Sequence, residues 1–160
     1  MVTLLIIFCA KYLVAVPVLA LLAYFFLGVK RRRHRLVWLT VISFPLAYLI
    51  ARILGHLFYS ARPFVVGNFV PLIAHAADNG FPSDHTLIAA TIAMVVLYFN
   101  RRWGVTLWIV AALIGIARVL AGVHHTSDII GSMLIAIVSV IAAHYILYFL
   151  RRERLTYISK

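Results

Sequence analysis

The sequence is poor in acidic residues, in charge of either sign and in cysteine. Asp and Glu number 4 among 160 residues, charged residues make up 12% of the chain, and Cys9 is its one cysteine. A single cysteine excludes an intrachain disulfide and a metal site built on cysteines. Hydrophobic residues make up 65% of the chain, whereas a soluble domain has about 45 to 50%. The composition therefore predicts a protein embedded in a lipid bilayer.

Long apolar runs fill most of the chain. Five of them are separated by charge or by Gly and Pro, at about 3–28, 36–59, 85–99, 103–121 and 128–150. A helix that crosses the bilayer needs about 20 residues, so this chain has room for about five crossings and no second domain. We predict an all-α fold, a polytopic membrane helical bundle of about five transmembrane helices in a single domain, 1–160. The first run is too long for a signal peptide and is expected to be retained.

Fifteen Lys and Arg residues give a formal net charge of +11. They cluster between or after the apolar runs, at Lys30, Arg31, Arg32, Arg33 and Arg35, at Arg101 and Arg102, and at Arg151, Arg152, Arg154 and Lys160. Five alternating crossings place all three clusters on one side, which the positive-inside rule makes cytoplasmic. This arrangement favours contact with anionic headgroups and argues against nucleic-acid binding.

The other two connections, 60–84 and 121–128, are then extracytoplasmic. They and the residues beside them hold most of the reactive side chains, namely Arg62, His75, Asp78, Asp84, His85, His124, His125 and Asp128. Ionisable residues at a membrane edge are costly to place, which makes each a functional candidate. We therefore predict an active site at the outer membrane edge.

Two arginines and a serine can bind a phosphate group. Arg62 and Arg118 can each hold two phosphate oxygens with a planar guanidinium group. Ser83 stands at a predicted helix start, where free amides favour an anion. His85 is the candidate acid for the departing oxygen.

A nucleophile is also present. Asp128 lies four residues after His124, where it can hold one imidazole nitrogen protonated and leave the other free to attack. The acidic residues of the outer side are too few and too scattered for a magnesium site, so we expect metal-independent chemistry without a cofactor.

Together these segments resemble the three signature motifs of the type-2 phosphatidic-acid phosphatase superfamily. The matching residues are Arg62-Pro63, then Pro82-Ser83-Asp84-His85, then Arg118 with His124 and Asp128. The stretch from His75-Ala76-Ala77-Asp78 to Phe81-Pro82-Ser83-Asp84-His85-Thr86 is similar to the bacitracin-resistance branch, the undecaprenyl-diphosphate phosphatases. The resemblance in layout covers most of the chain.

The resemblance implies an activity and a place in the cell. It implies a phosphohistidine intermediate on His124, with Asp128 orienting the ring, His85 as the acid, and Arg62, Ser83 and Arg118 holding phosphate. The implied substrate is undecaprenyl diphosphate, a carrier lipid of bacterial cell-wall (peptidoglycan) synthesis. The implied location is the bacterial cytoplasmic membrane, with the site on its extracytoplasmic side.

The sequence departs from the family pattern at three positions, Gly55, Asp84 and Ala117, the last of which replaces a Ser that commonly precedes the motif's Arg. Gly55 stands where the first motif usually has a Lys, so one phosphate cation is missing; Arg52 on the same helical face, or Lys11 in the first span, is a candidate replacement. Asp84 stands where a Gly is usual, as in the undecaprenyl branch, and its carboxylate would repel phosphate unless an Arg neutralised it. We include Arg52 and Asp84 in the predicted phosphate site.

Several alternatives stay open at this point. The same site would serve phosphatidate or phosphatidylglycerophosphate, and a small transporter or a non-catalytic lipid-binding protein belongs to other classes. His56 is a further candidate near the outer end of the second span. His75 and Asp78 either order the outer loop over the substrate or only form local turns. Oligomeric state is left open.

Overall fold

The computed structural model describes residues 1–28 and 30–158, with side chains except at Arg31 and 151–158. Lys160, counted above in the third basic cluster, lies outside the described residues. The described residues form the helices α1 (Val2–Tyr12), α2 (Ala15–Leu27), α3 (Lys30–Leu57), α4 (Pro63–Val66), α5 (Asp84–Phe99), α6 (Arg101–Leu120) and α7 (Thr126–Ile158). The prediction of an all-α membrane bundle is confirmed.

The first predicted crossing is two helices rather than one. α1 and α2 meet at an angle of 46° across the break at Leu13 and Val14. Pro17 explains the break, because its ring clashes with the carbonyl group of Leu13 four residues earlier and it has no N–H to donate. The chain turns tightly here instead, and the Val16 amide donates to the Leu13 carbonyl at 3.0 Å.

The other predicted crossings correspond to α3, α5, α6 and α7. By length and composition three described helices can cross a bilayer, at Arg32–Leu57, Arg101–Leu120 and Thr126–Leu150, and the bent pair makes a fourth if it counts as one span. α5 has 16 residues, a length of about 24 Å at 1.5 Å per residue, shorter than the hydrocarbon core. This helix lies in the centre of the bundle, packed most extensively against α6 and also against α7, α3 and α2.

α3 begins six residues earlier than predicted, because the basic cluster expected in a loop forms its first turns. Lys and Arg favour helix once no Gly or Pro interrupts them. Arg32 donates to the Phe99 carbonyl at 3.3 Å, and Arg33 donates to the Phe26 carbonyl at 2.7 Å. These bonds join the start of α3 to the ends of α5 and α2, so the first two basic clusters lie at one end of the bundle.

The opposite end of the bundle carries the long connection between α3 and α5. The amide of Leu72 in this connection donates to the Ala121 carbonyl at the end of α6, at 3.0 Å. Ile73 packs in a buried cluster with Ala10 of α1 and with Ala117 and Val123. α1 and the connection therefore enclose the end of α6, where Arg118 and His124 are found.

Candidate active site

His124 lies in the tight turn between α6 and α7 and is 2% exposed. Its Nδ1 lies 2.9 Å from the Gly80 carbonyl oxygen, while its Nε2 lies 3.4 Å from Nη1 of Arg62 and 3.2 Å from Nη2 of Arg118. Guanidinium nitrogens only donate, so Nε2 must be the acceptor and Nδ1 must carry the proton. The free lone pair of the ring is thus directed toward two arginines.

The electrostatic surroundings keep the His124 ring neutral. Burial lowers the pKa of His124, and the charges of Arg118 and Arg62 lower it further, against the opposing effect of Asp128. A neutral imidazole keeps the Nε2 lone pair available. The ring can therefore act as a nucleophile near neutral pH.

Arg62 is held in place by the outer connection. It lies just before α4, is 5% exposed, and donates from Nε to Oδ1 of Asp78 at 2.8 Å and from Nη1 to the Val123 carbonyl at 2.9 Å. Burial disfavours ionisation of Asp78, but the ion pair with Arg62 outweighs it and lowers the Asp78 pKa. Sequence reasoning placed Asp78 in a loop-ordering role or a local turn and missed this ion pair.

Arg118 lies in the last turn of α6 and is 4% exposed. Its Nη1 donates to the Ala10 carbonyl at 3.4 Å, next to the break between α1 and α2. Its buried Nε makes no hydrogen bond to any described part of the chain. Arg118 therefore keeps donor capacity for an anion beside His124.

Asp128 is completely buried in the first turn of α7. Its Oδ2 accepts from the His125 amide at 2.8 Å and lies 3.5 Å from Nδ1 of His124. No helical turn joins His124 to Asp128, because α7 begins at Thr126. Asp128 caps α7, because a carboxylate at the third helical position can accept from the amide that precedes the helix. It lies farther from the His124 ring than the Gly80 carbonyl does.

The segment before α5 supplies that carbonyl, and sequence reasoning missed it. The Asn79 side chain accepts from the amides of Ser60 and Phe81 at 2.9 and 3.0 Å and donates to the Gly55 carbonyl at 2.7 Å. Gly80 in turn donates its amide to the Ser60 carbonyl at 2.8 Å. The adjacent Asn and Gly before the second motif were the available signal, since this pair is typical of tight turns.

There is little room for a side chain at position 80. A Cβ there would lie 3.1 Å from Oδ2 of Asp128 and 3.2 Å from the Ser60 carbonyl. Both distances are tighter than ordinary carbon–oxygen contacts. A side chain here would therefore require the neighbours or the backbone to shift by a few tenths of an ångström.

Ser83 precedes α5 and is completely buried. Its amide donates to Oγ of Ser132 at 2.8 Å, and its own Oγ accepts from the Thr86 hydroxyl at 3.2 Å. The hydroxyl hydrogen of Ser83 is left for another acceptor. Ser132 and Thr86, which sequence reasoning did not single out, therefore fix the position of Ser83.

His75 lies beside the His124 ring, and His85 is near enough for the charges of both histidines to act on it. His85 is half-buried in the first turn of α5, where the charges of Arg118, His124 and His75 act on it. His75 is also half-buried, with its ring centroid 6.0 Å from that of His124. Burial lowers the pKa of His75, and Arg62, Arg118 and His124 lower it further.

A cavity of about 370 Å³ adjoins the histidine site, between α3 and the start of α5. Arg52, His56, Arg62 and Asp84 line it, whereas Lys11 is exposed on α1 and does not. Asp84 is exposed and makes no ion pair within the described ranges. The described residues contain no group of three or more His, Cys, Asp or Glu that could hold a metal ion.

Comparison with known proteins finds a matching family and several relatives. The PAP2 superfamily model matches residues 36–152. The chain is 33% identical over 134 residues to the bacitracin transport permease protein BcrC of Bacillus licheniformis, covering 82% of this chain and 65% of the relative. It is 33% identical over 132 residues to the undecaprenyl-diphosphatase BcrC of Bacillus subtilis (strain 168), covering 82% and 68%. The chain thus spans about two thirds of the length of these curated relatives.

The fold is similar to a solved structure as well. The crystal structure of Aquifex aeolicus LpxE superimposes with a TM-score of 0.71 at 25% identity, covering 89% of this chain and 86% of that one. The resemblance inferred from the three motifs is confirmed, and the chain belongs to the PAP2 superfamily.

Proposed function

We propose that this chain is a membrane lipid phosphatase that hydrolyses undecaprenyl diphosphate to the monophosphate through a phosphohistidine at His124. The observation that carries the proposal is the position of the His124 Nε2, unprotonated and within 3.4 Å of the guanidinium groups of both Arg62 and Arg118. A phosphoryl group held by those two arginines would have its phosphorus in front of this lone pair. The name of the Bacillus subtilis relative supports the choice of lipid.

In the first step Nε2 attacks the terminal phosphorus. The nitrogen–phosphorus bond forms while the bond from phosphorus to the bridging oxygen breaks, and the electron pair stays on that oxygen. His85 donates a proton to it, and the lipid monophosphate leaves. Arg62 and Arg118 neutralise the charge on the equatorial oxygens, and Ser83 donates its free hydroxyl hydrogen to one of them.

In the second step water attacks the phosphorus of the phosphohistidine. His85, now neutral, takes a proton from that water as the new oxygen–phosphorus bond forms. The nitrogen–phosphorus bond breaks, its electron pair returns to Nε2, and inorganic phosphate leaves. The Gly80 carbonyl and Asp128 keep the Nδ1 proton in place and stabilise the positive ring of the intermediate.

The site has a proposed place in the cell as well. The first two basic clusters lie at the end of the bundle away from His124, and the positive-inside rule favours a cytoplasmic position for them. This arrangement supports an active site on the extracytoplasmic side of the bacterial cytoplasmic membrane. The lipid chain then stays in the bilayer while its head reaches His124.

Transport is a second candidate, because the Bacillus licheniformis relative is named a transport permease. Phosphate release by the purified chain separates the two functions. In detergent we expect phosphate from undecaprenyl diphosphate at a higher rate than from phosphatidate or phosphatidylglycerophosphate, and none with H124A. No release from any of the three lipids would leave transport or binding as the function, and faster release from phosphatidate would overturn the choice of lipid.

A further inference from the structure

The cavity beside the histidine site shares Arg62 with it. Arg62 lines this cavity, and its Nη1 lies 3.4 Å from Nε2 of His124. Beyond Arg62 the cavity continues along α3 past His56 and Arg52 to Tyr48, and faces Leu87 of α5. From His56 to Tyr48 it follows α3 for about 12 Å, at 1.5 Å per residue. A group bound at Arg62 can therefore extend into this cavity.

Arg52 and His56 are four residues apart, so they project from the same face of α3 into the cavity. Both side chains are exposed, and neither makes a hydrogen bond or ion pair with the described part of the chain. A guanidinium group without a partner is costly next to a bilayer. An anion bound in the cavity would supply that partner.

Gly55 explains why the cation is one turn lower than in the family pattern. A Cβ on Gly55 would lie 3.1 Å from the Phe81 carbonyl oxygen, and the Gly55 carbonyl is bonded to the Asn79 side chain. The 79–82 segment thus occupies the space that a longer side chain at position 55 would take. The free positive charge on this face is at Arg52 instead, deeper along the helix than His56.

Two acidic residues also line the cavity. Only one of them has an ion-pair partner among the described residues. Asp78 is paired with Arg62 at 2.8 Å. Asp84 is exposed at the start of α5, and no ion pair offsets it among the residues described. Arg52 is the remaining cation of the cavity, so its charge is what allows an anion to bind beside Asp84.

We propose that Arg52 and His56 bind the phosphate group that stays on the lipid, while Arg62 and Arg118 bind the phosphate that is transferred. The lipid chain then leaves past Tyr48 and Leu87 into the bilayer. This inference rests on the proposed function and adds that the cavity selects lipid diphosphates over lipid monophosphates, because a monophosphate has no group to place at Arg52.

The test compares farnesyl diphosphate with farnesyl monophosphate, which differ only in the second phosphate. For R52Q and H56Q of the full chain in detergent, kcat/KM for the diphosphate should fall about 10- to 100-fold, as expected for a lost charge-assisted hydrogen bond. The value for the monophosphate should change less than about threefold. R52K should retain part of the diphosphate rate, and K11Q, which removes a cation outside the cavity, should leave both rates unchanged.

The outcomes distinguish failure of the Arg52–His56 subsite from failure of the proposed phosphatase function. The monophosphate rate shows that R52Q and H56Q are folded, so a selective loss on the diphosphate supports the subsite. An equal loss on both lipids, or no loss on either, would overturn the subsite and leave the proposed function standing. If the unmodified chain released no phosphate from either lipid while it remained folded, the proposed function would fail, and this inference with it.

Discussion

Nδ1 of His124 lies 2.9 Å from the carbonyl oxygen of Gly80 but 3.5 Å from Oδ2 of Asp128. The backbone carbonyl is therefore the direct acceptor of the ring proton. The carboxylate acts on the ring mainly through its charge, and it also holds the His125 amide at the start of α7 at 2.8 Å. These two roles of Asp128 can be separated experimentally.

D128N removes the charge of Asp128 but keeps an oxygen that can accept from the His125 amide. Asn keeps the shape of the side chain and leaves the Gly80 bond intact, so the ring should keep its tautomer. We expect kcat to fall about 10- to 100-fold, since the charge that stabilises the positive phosphohistidine is lost. The free energy of unfolding should fall by about 0.5 to 1 kcal/mol, because a carboxylate is lost from the helix N-terminus. A loss of kcat as complete as that of H124A would show that the carboxylate, not Gly80, fixes the ring.

G80A tests the carbonyl contact. The added methyl group would lie 3.1 Å from Oδ2 of Asp128, so either this carboxylate or the Gly80 backbone must shift, and both contact His124. We expect kcat to fall at least about tenfold while KM changes little, because Arg62 and Arg118 still bind phosphate. A77S, an exposed change in the same connection, is the control and should leave kcat unchanged. Equal kcat for G80A and A77S would rule out this role.

The pH dependence follows from the His124 pKa, which lies below its usual value of 6.5 because of burial and the two arginines. In the proposed mechanism the neutral His124 ring is the nucleophile, so kcat/KM should have an acid limb on which it falls as pH drops through the lowered His124 pKa, while loss of the His85 proton sets a separate alkaline limb. The free energy of unfolding also falls toward acid pH. Because the His124 pKa is lowered in the folded state, the unfolded state takes up the proton first below pH 6.5. H124Q should flatten this decrease between pH 7 and pH 5. An acid limb of kcat/KM that begins above pH 6.5 would contradict the assignment.

D78N tests the ion pair that holds Arg62. Asp78 is 62% exposed, so the pair adds little to stability and mainly orients Arg62. We expect KM for the lipid to rise about two- to fivefold and Tm to stay within about 2 °C, as for an exposed ion pair. D84N is the matched comparison, since it removes a carboxylate that makes no ion pair in the described structure. If D78N and D84N gave the same KM, Arg62 would not depend on Asp78.

Part of the site could be predicted because its residues stand at the ends of apolar runs. Arg62, His85 and Asp128 adjoin helix termini, and helices that alternate across a bilayer bring such termini to one face. Arg62, Arg118 and His124 were singled out from the chemistry that phosphoryl transfer requires. The break in the first crossing was also readable, since Pro17 stands inside an apolar run.

Other parts could not be predicted from side-chain patterns. The Gly80 carbonyl meets His124 across 44 residues of sequence. The adjacent Asn79 and Gly80 indicate a tight turn, but residue types do not show which side chain a backbone oxygen will meet. The same holds for the Ala10 carbonyl, which meets Arg118 only because α1 packs against the end of α6. The ion pair of Asp78 with Arg62 depends on the path of a long connection that has no periodicity.

Trapping of the covalent intermediate tests the central claim most directly. The full chain is mixed with a lipid diphosphate labelled on its terminal phosphate, quenched within one turnover at alkaline pH, where phosphohistidine survives, and digested for peptide mapping. The account predicts one phosphoryl group per chain on His124, and none in H124A. Label on another residue, or phosphate release by H124A at the rate of the unmodified chain, would contradict it.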